Sequence, residues 1–289
     1  MKKLVLAALT GAVFLTAGCQ KKVRDLTDVS EAQEGAGEAD AGEASLDVAT
    51  VASVDELPRE IVVEEDYLLA EVAIDEAAFS RAPAIGMDLV ESAQIRIEAM
   101  SEDAKAYREA DPDYFRQYGL RIRWDVVAEA GNIMSLEGFH YTFTGGAHGN
   151  YFTAARIYDA TTGEPMRLSS FFQQPQASIE AHMPAVWKEI ARQKAAKSGS
   201  PSQIERFEAE ARETVSADMV LAGETSFIPS DRAGRFGGYA IHFAPYDIGS
   251  YAEGAYHVTV PQSLFRDALK QQYMALFDGE PVKVERLGD

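Results

Sequence analysis

Residues 118–159 read YGLRIRWDVVAEAGNIMSLEGFHYTFTGGAHGNYFTAARIYD, and the fold turns on how this stretch is parsed. Leu120, Ile122, Trp124 and Val126 share one parity, while Arg121, Arg123 and Asp125 share the other. A period of two marks a strand with one buried face. The alternation resumes after Gly131-Asn132, with Phe139, Tyr141 and Phe143 in step, and again from Asn150. A second tight turn is expected at Thr161-Thr162-Gly163-Glu164. The simplest account is three or four consecutive antiparallel strands, a meander with one face on a core.

The turn TGGAHGN (144–150) holds a histidine among three glycines. Gly145, Gly146 and Gly149 are expected to supply the positive φ that a chain reversal needs. His148 would then sit at the hairpin tip. A phosphate-binding loop is excluded: the glycine spacing is wrong, no Lys-Ser/Thr pair follows, and strands flank both sides. A nucleophile elbow is excluded because no serine stands between the glycines. The five histidines, His140, His148, His182, His242 and His257, include no His-x-x-x-His pair and have no cysteine partner nearby. Hence no catalytic residue, metal ligand or cofactor is assigned. The alternative is a cell-wall glycan hydrolase or deacetylase, in which His148 would meet carboxylates such as Asp159 and Asp247 in space.

Outward from the meander, DYLLAEVAI (66–74) suits a strand, and 86–110 has helical spacing that stops at Asp111-Pro112. On the other side, 175–197 and 202–220 read as helices around the breaker SGSPS, with Pro184 expected to kink the first or restart it. Strands return near 225–230, 237–246 and 255–261. Phe265, Leu269, Tyr273 and Leu276 then form one stripe of an expected closing helix. The expected class is α+β: an antiparallel β-meander packed against several helices, behind a disordered acidic N-terminal tether.

The chain start bears on compartment. MKKLVLAALTGAVFLTAGC has a basic beginning, an apolar stretch and small residues before Cys19, the pattern of a lipoprotein signal peptide (1–18). Cys19 is the single cysteine, so lipidation there leaves none for a disulfide. Gln20, rather than Asp, follows it, which by the sorting rule points to the outer membrane. From Asp25 to Glu56 there are ten acidic residues and no basic one, so 19–60 reads as an anchor and a self-repelling linker. Loss of Lys2 and Lys3 with the signal takes the formal charge from −19 to −21. That balance argues against nucleic acid and favours cationic partners.

These blocks together resemble a family. TGGAHG (144–149), DATTG (159–163), LSSFF (168–172) and the PYDIG loop (245–249) before Val260-Pro261 look like the paired envelope domains of RsiV-type lysozyme-sensing anti-sigma factors. The same pair precedes the catalytic domain of PdaC-type peptidoglycan deacetylases. The resemblance implies a PdaC-like part at 61–155 and an RsiV-like part at 156–280, a non-catalytic module working at the cell envelope. Deacetylase chemistry in that family sits in a separate domain whose Asp-Asp pair and zinc motif this sequence does not contain. Expected partners are a lysozyme-like protein or peptidoglycan, with the membrane held through lipid on Cys19. Within FAPYDIGSYAEGAYH (243–257), Tyr246, Asp247, Tyr251 and Glu253 are the residue types that dock a cationic protein or a glycan.

Overall fold

The computed structural model describes residues 58–286. The expected signal peptide, Cys19 and nearly all of the acidic linker lie outside the described residues. The meander is present as β3 (Tyr118–Ala130), β4 (Ile133–Phe143), β5 (Asn150–Asp159) and the two-residue β6 (Pro165–Met166). Each strand runs antiparallel to the one before. A hairpin of β1 (Glu60–Glu64) and β2 (Leu68–Ile74) completes a six-stranded sheet, but β2 lies parallel to β3. The reason is the link between them, α1 (Glu76–Arg81) and α2 (Pro83–Ala110). A crossover of that length carries the chain back to the starting end of the sheet, where only parallel pairing is open.

Helix α2 begins on Pro83, whose missing N–H costs nothing in the first turn, and ends at Asp111, before Pro112. It lays Ile85, Leu89, Val90 and Ala93 on the sheet face formed by Leu120, Ile122 and Trp124. Each large side chain so buried contributes about 1.5–3 kcal/mol.

A second, antiparallel sheet consists of β7 (Glu224–Pro229), β8 (Phe236–Phe243) and β9 (Tyr256–Pro261). Strand β8 is buried along its whole length. On one side Tyr239, Ile241 and Val258 join a core with Ile179, Met183 and Val186 of α3 (Pro175–Lys197). On the other side β7 meets β4: the Phe227 N–H donates to Ser135 Oγ at 2.8 Å, and Ser226 Oγ donates to Glu137 at 2.7 Å. The described residues fall in one compact unit.

Three expectations change. Helix α3 runs unbroken through Pro184. The expected helix over 202–220 is two, α4 (Ile204–Thr214) and α5 (Ala217–Ala222), because Ser216 caps the second and Trp187 Nε1 donates to the freed Val215 carbonyl at 2.8 Å. The closing helix is absent. Residues 262–264 and 266–268 form 3₁₀ turns, and only α6 (Gln271–Met274) is helical. Leu269 bridges to Phe172, and the Lys270 N–H donates to the Phe171 carbonyl at 2.8 Å. These bonds to a distant segment replace the helical ones.

Candidate functional site

The β4–β5 turn and the β8–β9 loop, about a hundred residues apart in sequence, meet on one surface. Of the three turn glycines, only Gly145 has the expected positive φ, at 83°. Gly146 does not, and a Cβ there would meet nothing closer than 4.0 Å. Gly149 is needed for a different reason. A Cβ there would sit 2.3 Å from the Tyr141 ring, so glycine permits a close approach rather than a reversal.

That approach brings the Gly149 carbonyl to Tyr251, whose hydroxyl donates to it at 2.7 Å. His148 Nδ1–H donates to the same oxygen at 3.0 Å, and its exposed ring stacks on Tyr251 with centroids 4.0 Å apart. Tyr246 lies 5.6 Å from Tyr251, 62% exposed, at a φ of 79° that side chains rarely adopt. Tyr151 approaches Tyr251 edge-on at 6.3 Å, and Phe139 follows at 6.0 Å from Tyr151.

The acidic members of the loop help to hold its shape. Asp247 Oδ2 accepts from the Ala244 N–H at 2.7 Å. Glu253 accepts from the Ser250 N–H and hydroxyl at 3.0 Å and from the Tyr256 hydroxyl at 2.5 Å. Burial pushes the Glu253 carboxyl up, but the bonds from Tyr256 and Ser250 outweigh it and hold it below the ordinary range. Of Tyr246, Asp247, Tyr251 and Glu253, the first two are exposed and the other two half-buried.

The surface continues over the part of the first sheet's face that β7 leaves open. Register places Glu71, Arg121, Tyr141 and Tyr151 in one row across β2 to β5. Leu69, Phe139 and Tyr141 help wall a hollow of about 280 Å³ there. Arg121 donates to Glu71 at 2.9 Å, and Arg123 forks onto Asp125 at 3.0 Å.

Of the carboxylates a hydrolase would use with His148, Asp159 lies away from it. Asp159 ends β5 at the edge remote from the turn, where it accepts from the Thr161 N–H and from Asn132 at 2.8 Å; the Thr161 bond leads in holding its carboxyl low. Among the described residues, no group of three or more His, Cys, Asp or Glu is placed to hold a metal ion. The other histidines lie elsewhere. His140 is buried between Trp124 and Phe152, and His182 bonds the Tyr239 hydroxyl. His242 and His257 meet at 2.9 Å between their Nδ1 atoms. Sequence reasoning missed that last cluster, which also includes Glu137 and Arg286. Glu137 shares its parity with Phe139 and Tyr141, and nothing in the alternation says that β7 covers that end of the face.

Residues 66–151 match the family model described as "Deacetylase PdaC", and residues 169–263 match "Protein of unknown function (DUF3298)". Among solved structures, the chain is similar to a DUF3298 family protein from Pseudomonas aeruginosa PAO1, with 17% identity, 78% of this chain and 100% of that one covered, and a TM-score of 0.45. It is also similar to a DUF3298 family member from Bacteroides fragilis NCTC 9343, with 16% identity, 75% and 95% covered, and a TM-score of 0.46. No curated protein matches the chain. No helix among the described residues is long and apolar enough to cross a membrane. Two family models thus match successive stretches of the chain, each over less than half of its length.

Proposed function

We propose that this protein is a lipid-anchored, non-catalytic binding module on the periplasmic face of the outer membrane, held through Cys19, that docks the glycan of peptidoglycan on its aromatic surface. The observation that supports this most is the exposed Tyr246 beside the His148–Tyr251 stack. Sugar rings offer apolar C–H faces to such rings while their hydroxyls stay hydrated, and rigid aromatics pay little entropy on docking. Asp247 and Glu253 accept bonds from the loop's own backbone and so hold its shape. A second reading, a lysozyme-like basic protein as ligand, draws on the formal charge of −21 that remains when the −19 of the whole chain loses Lys2 and Lys3.

The test is co-sedimentation of the full chain with insoluble peptidoglycan, alongside calorimetric titration with lysozyme at low and high salt. Retention on peptidoglycan that survives high salt supports the glycan reading. Salt-sensitive binding to lysozyme alone supports the second reading. Binding to neither overturns both. His148→Ala, at an exposed ring, is expected to weaken retention about tenfold while leaving the melting temperature nearly unchanged.

A further inference from the structure

Glu137 lies beneath β7 with only 6% of its side chain exposed, and a carboxylate so placed demands a cation. The cation comes from the far end of the chain. After Pro281, residues 282–286 take no helix or strand conformation. The Val282 N–H donates to the Pro229 carbonyl at 2.9 Å. Arg286 then forks onto the carboxylate, Nε 2.6 Å from Oε2 and Nη2 2.9 Å from Oε1, with its side chain 10% exposed. A two-bond fork of this kind is selective for a guanidinium over an ammonium.

The carboxylate is aimed from behind. Ser226 has one hydroxyl proton, and a carboxylate can only accept it, at 2.7 Å. Ser226 Oγ therefore accepts from His242 Nε2–H at 2.9 Å, and His242 Nδ1 accepts from His257 Nδ1–H at 2.9 Å. Every donor in this chain points toward Glu137, with tautomers assigned by the network. Glu137 belongs to the PdaC segment, and the two histidines and the serine belong to the DUF3298 segment. None of these groups is on the C-terminal strap, so the receptor is built without it. Beside the ion pair lies a cavity of about 380 Å³ walled in part by Asp125, Phe139, Thr153 and the strap's Val284.

We infer that Glu137 heads a guanidinium-binding pocket that Arg286 fills in cis as an exchangeable plug. Two features support exchange over a fixed staple. Among the described residues, no backbone–backbone hydrogen bond holds 283–286, so side-chain contacts carry the hold on this stretch. The adjoining cavity gives an incoming group room to approach. Phe139 walls both this cavity and the hollow on the open sheet face. Withdrawal of the strap lengthens that face toward Glu137. The inference stands whether or not Tyr246 docks a glycan.

The experiment uses the full chain, a protease that cuts after glutamate, and mass spectrometry to follow cleavage after Glu285. Methylguanidinium is the competitor and methylammonium the control. In the wild type, methylguanidinium is expected to speed cleavage saturably, and methylammonium is not. Glu137→Gln is expected to be cut about tenfold faster or more, with no response to either compound. Arg286→Ala gives a second readout: its melting temperature falls and methylguanidinium restores it. Equal effects of the two compounds on the wild type, or an Arg286→Ala chain that neither loses stability nor responds to methylguanidinium, would overturn the inference.

Discussion

Gly145, Gly146 and Gly149 look alike in sequence and do three different things. Gly145 sits at positive φ, so Gly145→Ala is expected to cost about 1–2 kcal/mol. Gly149→Ala must push the Tyr141 ring aside and is expected to cost about 1–3 kcal/mol while disturbing the His148–Tyr251 stack. Gly146→Ala meets open space and should fall within about 0.5 kcal/mol of wild type. Chemical denaturation of the three variants checks this ordering; equal losses would contradict it. The sequence showed that glycine clusters in the turn, but not which glycine faces Tyr141, because that contact depends on where the preceding strand places its ring. The same limit applied to Tyr246 and Tyr251. Their residue types marked them for docking, whereas the stacking of Tyr251 on His148 could be seen only once the two loops were folded together.

Among the elements, the meander was legible because alternation over the first half of β3 is clean and turn residues separate it from the strand-like runs of β4 and β5. Parallel pairing of β2 with β3 was not, since a period of two is the same in either direction. The closing segment was misread for a related reason. Phe265, Leu269, Tyr273 and Leu276 fit a helical stripe, but Phe265 and Leu269 are buried through turns that tie back to Phe171 and Phe172. Tertiary contacts outweigh local propensity there. Leu269, fully buried at that bridge, makes the point testable: Leu269→Ala is expected to lose about 2–5 kcal/mol, as for a core position. A loss under about 1 kcal/mol in denaturant titration would place it on a surface helix instead.

For the whole molecule, buried histidines set the acid limit. Burial leads in pushing His140 and His182 down to about 4 and His242 well below its ordinary value; Arg96 and Arg156 press further on His140. Unfolded, each titrates near 6.5, so below that pH the unfolded chain binds more protons than the folded one. Their stabilising effect is complete above about pH 6.5 and drains away as pH falls toward 4, by roughly 3 kcal/mol each for His140 and His182. Both His140 ring nitrogens lack a partner, and the ring packs on Phe152 and Trp124. His140→Phe should therefore raise stability and flatten the acid limb between about pH 6.5 and 4; an unchanged slope would contradict that account.

The proposed binding role of the surface around Tyr246 has a direct test. Holding a tyrosine at a φ of 79° costs about 1–2 kcal/mol, a strain that folding alone does not reward. Tyr246→Gly separates stability from function in one variant, read by thermal melting and by retention on peptidoglycan. The account predicts a higher melting temperature together with retention reduced about tenfold or more. A Tyr246→Gly chain that melts higher and is still retained as well as the wild type would contradict it.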